Sequence, residues 1–212
     1  MPKLVIFDLD GTLIDSRMDL AGAVNYMRAS MGLEPLDTER IIRFTGNGAA
    51  ALVRRAIADA EVDFEEALKR MRTFYHDHVA DTTMLYPGVS AGLKQLHDAG
   101  VKLAVVSNKP SRETDKILTL LDVRPFFSDV IGGDSDYPLK PEPDALTALK
   151  EKYALENADC WMVGDHYTDL EAGRRAGFRR ILVKYGFGDP KEETPDYTAD
   201  SFSDVNLILS GF

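Results

Sequence analysis

The sequence predicts an α/β protein in which a parallel sheet carries helices on both faces, with a small all-helical insertion after the first strand. Three features point that way: an apolar run at the start that breaks at an acidic tip, a helix-periodic stretch from about Met18 to Val79, and regular alternation of helix and strand after it.

The opening run Leu4-Val5-Ile6-Phe7 is apolar enough to be a strand buried on both faces, as central strands of parallel sheets are, and Gly11 permits a sharp exit from it. Residues two apart on an extended chain point the same way. Asp8 and Asp10 can therefore address one ligand, while Phe7 and Leu9 face the packing layer. Asp-Gly is also a common turn dipeptide, so the tip taken alone reads as a plain turn as well.

The next segment shows helical spacing at Leu20, Val24, Met27 and Met31, then at Ile41, Leu52, Val53 and Ile57, then at Phe64, Leu68, Met71 and Tyr75. Gly32, Pro35, Gly46 and Gly48 punctuate it, which suggests several helices joined by short turns. The expected division is a core of residues 1–15 and 82–212 and a helical cap of residues 16–81. Beyond Tyr86-Pro87-Gly88 the pattern predicts a helix at 89–98, a strand at 102–106, a helix at 112–121, a short strand at 129–131 and a helix at 143–153. It continues with a buried strand at 160–163, a helix at 170–176, a strand at 180–183, a surface loop at 189–195, a short strand near Tyr197 and a last helix at 205–209. Parallel strands need crossovers, and helices supply them.

Composition bounds the function. The 212 residues are 44% hydrophobic and 28% charged, enough to bury a sizeable core, and 25 basic against 35 acidic residues give a net charge of -10. That balance argues against general binding to nucleic acid or anionic membranes. The single Cys160 excludes an internal disulfide and reads as a small buried hydrophobe; no run approaches membrane-spanning length and no secretory signal precedes the first strand. The expectation is a cytoplasmic protein, monomeric or homodimeric.

In open α/β sheets ligands bind outside the carboxyl ends of the strands. Four such ends carry polar groups of one chemistry: Asp8 and Asp10; Ser107-Asn108-Lys109; Lys140; and Gly164-Asp165 with Asp169. Carboxylates near a phosphate would repel it, since like charges about 4 Å apart at an effective dielectric near 20 cost about 4 kcal/mol per pair. A cation is needed, and an acid-rich site without a His or Cys cluster suits magnesium. Each piece also has a plainer reading: Ser107-Asn108 as a helix cap, Lys140 as a surface charge, Gly164-Asp165 as a turn, Asp169 as a favourable acid in a first helical turn.

As an ordered set, Asp8-Leu9-Asp10-Gly11-Thr12, Ser107, Lys140 and Gly164-Asp165-His166-Tyr167-Thr168-Asp169 resemble the haloacid dehalogenase superfamily almost end to end. Within it, Thr45-Gly46-Asn47-Gly48, Ser107-Asn108-Lys109-Pro110, Ile131-Gly132-Gly133-Asp134, Lys140-Pro141-Glu142-Pro143 and Tyr185-Gly186-Phe187-Gly188 are most similar to the phosphoglycolate phosphatase-like subfamily with a helical cap. The resemblance implies a Rossmann-like core and a Mg2+-dependent phosphomonoesterase acting on a small phosphorylated metabolite, 2-phosphoglycolate first among candidates. It implies Asp8 as nucleophile and Asp10 as general acid and base. Magnesium would be held by Asp8, the carbonyl of Asp10 and Asp165, with Asp169 behind them acting through water or Lys140. Ser107, Asn108 and Lys140 would bind phosphate, and Thr12 would brace the first loop.

In the cap, Arg43, Gly46, Asn47, Arg54 and Arg55 are candidates for recognising a second anionic group, although arginines on an amphipathic helix are commonly solvated. The cap would also exclude water and should therefore move. His166 stands where the family often has Ser; it reads as a partly exposed structural residue and receives no catalytic role. A haloalkanoic acid dehalogenase would not need Asp10 or Asp165. A pyrophosphatase or a sugar phosphomutase would share the motifs, and a non-catalytic adaptor on this scaffold would be expected to lose a nucleophile or a metal ligand, neither of which is missing.

Overall fold

The structure, a computed structural model, describes residues 1–211. The chain runs β1 (Leu4–Phe7), β2 (Ile14–Asp15), α1 (Arg17–Ser30), α2 (Thr38–Ile42), α3 (Gly48–Ala56), α4 (Phe64–Asp77), β3 (Met84–Leu85), α5 (Val89–Asp98), β4 (Lys102–Val106), α6 (Ser111–Leu120) and β5 (Asp129–Ile131). It continues with α7 (Asp144–Lys152), β6 (Cys160–Gly164), α8 (Tyr167–Ala176), β7 (Arg179–Val183), β8 (Tyr197–Ala199) and α9 (Phe202–Ser210). Six strands form one sheet in the order β5-β4-β1-β6-β7-β8, every neighbouring pair parallel.

Alternate residues of each strand divide between two apolar layers, which is why β1 reads as an unbroken hydrophobic run. Val5, Phe7, Val105, Trp161 and Val163 pack on one face with residues of α5, α6 and α9; Leu4, Ile6, Ala104, Val106 and Met162 pack on the other with α7 and α8. Each fully buried large side chain in these layers contributes about 1.5–3 kcal/mol relative to exposure. The chain leaves β1 toward β4 and β5 on one side and later fills β6, β7 and β8 on the other. A strand order that reverses direction at β1 opens a crevice beyond its carboxyl end, where Asp8 and Asp10 stand.

Helices α1–α4 pack on one another, α1 against α2 and α4, and α3 against α4. Met27, Leu52, Val53, Ala67 and Met71 are buried among them. The buried guanidinium of Arg28 donates to the carbonyls of Glu34 and Ala56 and meets Asp59 Oδ1 at 3.2 Å, fastening the turns that join these helices. Asp63 caps α4 by accepting the Glu66 amide at 2.7 Å.

Two details differ from the sequence expectation. β2 and β3 pair antiparallel, Ile14 with Leu85 and Asp15 with Met84, on either side of the helical segment; strands of two residues are too short to show a period. The helices expected at 170–176 and 205–209 each begin three residues earlier, because His166 and Ser201 close capping boxes with Asp169 and Asp204. No described helix is long and apolar enough to cross a membrane.

Candidate active site

Asp8, Asp10, Ser107, Asn108, Lys140, Asp165 and Asp169 all line one cavity of about 310 Å³ between the carboxyl edge of the sheet and the helical segment. At β1 the chain turns at Gly11, whose φ of +84° is left-handed; a Cβ there would lie 1.9 Å from Asp165 Oδ2. The first loop thus closes directly on the acid that follows β6. Thr12 is buried, and it braces the loop through its carbonyl, which accepts from the Tyr185 hydroxyl at 2.9 Å; its own hydroxyl has no partner among the described residues.

Lys140 is buried at the centre. Its Nζ donates to Asp8 Oδ1 at 2.8 Å and to the Val106 carbonyl at 2.6 Å, and lies 2.7 Å from Asp169 Oδ1 in an ion pair without hydrogen-bond alignment. Burial disfavours its charge, but Asp169 and Asp8 outweigh that and hold its pKa above the usual lysine value. Asp8 is pushed up to about 6, chiefly by burial, against the pull of Lys140. Asp169 is oriented by the capping box of α8, in which its Oδ2 accepts the His166 amide at 3.1 Å. The spacing from Asp165 to Asp169 therefore places one acid at the strand tip and the other at the third position of the helix.

Asp8, Asp165 and Asp169 can each offer a carboxylate oxygen, all within 4.8 Å of one another. Asp165 Oδ2 accepts the amides of Phe187 and Gly188 at 3.0 and 2.7 Å, yet burial and then the charges of Asp169 and Asp8 drive its pKa well above the ordinary carboxylate range. Unlike Asp8 and Asp169, Asp165 has no ion pair with a lysine or arginine among the described residues. Hard oxygen donors crowded in a buried site, one of them without a cationic partner, fit a divalent cation such as magnesium.

Asp10 has a different lysine. Lys109 Nζ lies 2.9 Å from Asp10 Oδ1 and donates to the hydroxyl of Tyr75 on α4, and Ser16 donates to the same Asp10 oxygen. Burial lowers the Lys109 pKa, and the charge of Asp10 and contact with Tyr75 more than reverse this. Tyr75 itself is pushed up to about 12 by burial. The sequence assigns no role to Lys109 or Tyr75, since their meeting depends on α4 lying across the start of α6.

Ser107 and Asn108 do not cap α6, which starts at Ser111 after Pro110. The Asn108 side chain accepts the Lys140 amide and donates to the carbonyls of Lys140 and Gly46, each at 2.9 Å, so it joins two strand ends to the helical segment. Gly46, at φ +92°, lies so close to the His166 ring that a Cβ would stand 2.5 Å from it. Asn47 donates to the Tyr167 hydroxyl at 2.8 Å and accepts from Arg55. His166 is buried rather than partly exposed: its Nδ1 meets the Thr168 hydroxyl at 2.9 Å, and burial lowers its pKa to about 4, leaving it neutral near pH 7.

Arg43, Arg54 and Arg55 do not line the cavity. Arg54 lies over the Phe64 ring at 3.9 Å, and Arg55 donates to the Phe44 carbonyl as well as to Asn47. The arginines that do line it are Arg72 of α4 and Arg112 of α6. Their signal in the sequence was only that Arg72 adjoins Met71 and sits one turn from Tyr75.

Residues 5–183 match the family of haloacid dehalogenase-like hydrolases. The chain is 39% identical over 216 residues to a phosphoglycolate phosphatase of Chromobacterium violaceum, covering 99% of this chain and 97% of that one. It is 38% identical over 220 residues to a phosphoglycolate phosphatase of Aliivibrio fischeri, covering 98% and 96%. The crystal structure of a predicted phosphoglycolate phosphatase from Haemophilus somnus superposes with a TM-score of 0.94 at 32% identity, over 98% of this chain and 97% of that one. On its matched length, its sheet order and the residues gathered beyond β1, this chain belongs to the haloacid dehalogenase-like hydrolase family.

Proposed function

We propose that this phosphoric monoester hydrolase cleaves 2-phosphoglycolate to glycolate and inorganic phosphate, with Mg2+ as cofactor and Asp8 as the covalent nucleophile. The observation that carries the reading is that Asp8 and Asp10 line one cavity, each held at its Oδ1 by a separate buried lysine. Two neighbouring carboxylates with different cationic partners can take different roles.

In the first step an Asp8 oxygen attacks phosphorus as the ester oxygen departs, and Asp10 gives its proton to the leaving alkoxide. In the second, Asp10 takes a proton from water, whose oxygen attacks phosphorus; the Asp8–phosphorus bond breaks and inorganic phosphate leaves. Lys140 fixes the rotamer of Asp8, and Ser107 with the backbone around Asn108 receives phosphoryl oxygens. Asp8, the Asp10 carbonyl and Asp165 would hold magnesium, with Asp169 behind them on Lys140; when bound, it offsets phosphate charge that would otherwise repel the nucleophile. The small cavity suits a compact substrate.

A panel of small phosphate esters assayed with and without Mg2+ tests this, beside Asp8→Asn and Asp10→Asn. The expected result is Mg2+-dependent release of phosphate, fastest from 2-phosphoglycolate, with each variant reduced by at least about 100-fold. Wild-type inactivity across the panel, or an undiminished rate in Asp8→Asn, would refute it.

A further inference from the structure

We infer that Arg72 and Arg112 form a carboxylate-binding subsite at the rim of the cavity, one arginine contributed by α4 and the other by α6. This rests on the phosphatase reading above and gives it a determinant of substrate choice. Both side chains line the cavity, and neither makes a hydrogen bond or ion pair among the described residues. The other cationic groups around the cavity are engaged: Lys140 with Asp8 and Asp169, Lys109 with Asp10 and Tyr75. The acids of the same rim are engaged too. Glu113 pairs with His76 at 2.9 Å; Asp134 accepts the Ser111 amide at 2.7 Å and feels the charge of Arg72, with no hydrogen bond or ion pair between the two.

Position follows from helix geometry. Tyr75 carries α4 onto Lys109, and Lys109 onto Asp10. Arg72 lies three residues before Tyr75 on the same helical face, about one turn away, roughly 5 Å along the axis. Its guanidinium can therefore reach a group attached within a few bonds of an ester oxygen protonated by Asp10. Arg112 lies two residues beyond Pro110, which also lines the cavity. A second negative group on the substrate is repelled by the four aspartates at the inner end and finds no partner on Leu20, Leu52, Met71 or Phe187. Two planar guanidinium groups at the outer end match a carboxylate in fork geometry. The substrate class is a short phosphomonoester bearing a carboxylate close to the ester oxygen.

The test compares kcat/KM for 2-phosphoglycolate and for 2-hydroxyethyl phosphate, its analogue without the carboxylate, in wild type, Arg72→Gln, Arg112→Gln and the double variant. Wild type is expected to prefer 2-phosphoglycolate, and each single variant to lower that preference by about 10- to 100-fold, mainly through KM, with Arg72→Lys recovering part. Both arginines are exposed on helix surfaces, and a circular dichroism melt confirms that each variant is folded. A preference that survives in the double variant, or equal losses on both substrates, overturns the subsite. Efficient wild-type turnover of both esters without preference also overturns it while leaving the phosphatase reading intact; turnover of neither overturns that reading itself.

Discussion

Replacing Lys140 by methionine keeps most of the buried stem and removes the ammonium. In the native protein that ammonium lies 2.8 Å from Asp8 Oδ1 and 2.7 Å from Asp169 Oδ1. Without it, three carboxylates whose oxygens lie within 4.8 Å of one another face each other in a buried site. Like charges at about 4 Å repel by about 4 kcal/mol per pair at an effective dielectric near 20. Proton uptake relieves part of this, at Asp165, which burial and its acidic neighbours already hold well above the ordinary carboxylate range, and at Asp8, which burial holds at about 6. Removing one partner from a buried ion pair costs about 3–5 kcal/mol, and that range is the expected loss for the metal-free variant at pH 7. With urea slopes at about 2–3 kcal/mol/M, the unfolding midpoint should fall by about 1–2.5 M in EDTA. Excess Mg2+ should restore much of the loss, because a bound cation neutralises the same acids. A midpoint in EDTA within about 0.3 M of wild type would show that Lys140 does not carry the charge balance of the site.

Magnesium affinity, followed by calorimetry, should strengthen from pH 5 to pH 7: Asp8 titrates at about 6 and Asp165 is raised well above its ordinary value, so the cation must displace protons at the lower pH. Equal affinity at the two values would contradict the acid cluster as its site. For His166 the pKa shift is downward: its folded pKa, about 4, lies below the unfolded value, so the stability it lends is complete above about 6.5 and is lost as pH falls toward 4. His166→Asn, which retains a capping side chain, should lose less stability than wild type between pH 7 and 5 in urea melts; an unchanged difference counts against the buried neutral ring. Asp19 accepts the amides and hydroxyls of Thr82 and Thr83 at 2.6 to 3.1 Å, and these bonds outweigh burial to lower its pKa. Asp19→Asn turns a donor toward donors and should cost about 1–3 kcal/mol at pH 7, with an unaltered melt opposing it.

The local signals were strong wherever one residue type in one place had one use. An apolar strand ending in two acids two residues apart, and a Gly-Asp at the tip of β6, are legible because strand periodicity alone places them at the sheet edge. Lys140 was legible only through its order among the other pieces, since a lysine before a proline reads as a surface charge until its three oxygen partners are seen. What could not be read was the rotation of the insertion relative to the sheet. Arg43, Arg54 and Arg55 lie in helical sequence as plausible as that of Arg72, but only the packing of α4 over Lys109 decides which side chains meet the cavity. For the same reason Tyr75 reads in the sequence as one more apolar position in a helical stripe, and His166 as a partly exposed structural residue, when Gly46 in fact covers its ring.

The ribbon of β2 and β3 brings the two ends of a long excursion side by side, joining Ile14 to Leu85. Between those fixed stems a change in length costs little, since the entropy of closing a loop grows only with the logarithm of its length, but Tyr75 on Lys109 and Gly46 on Asn108 tie the shape of the intervening chain to the carboxyl edge of the sheet. The ribbon thereby fixes where the excursion leaves and rejoins the core, while those two contacts fix how it sits over the cavity.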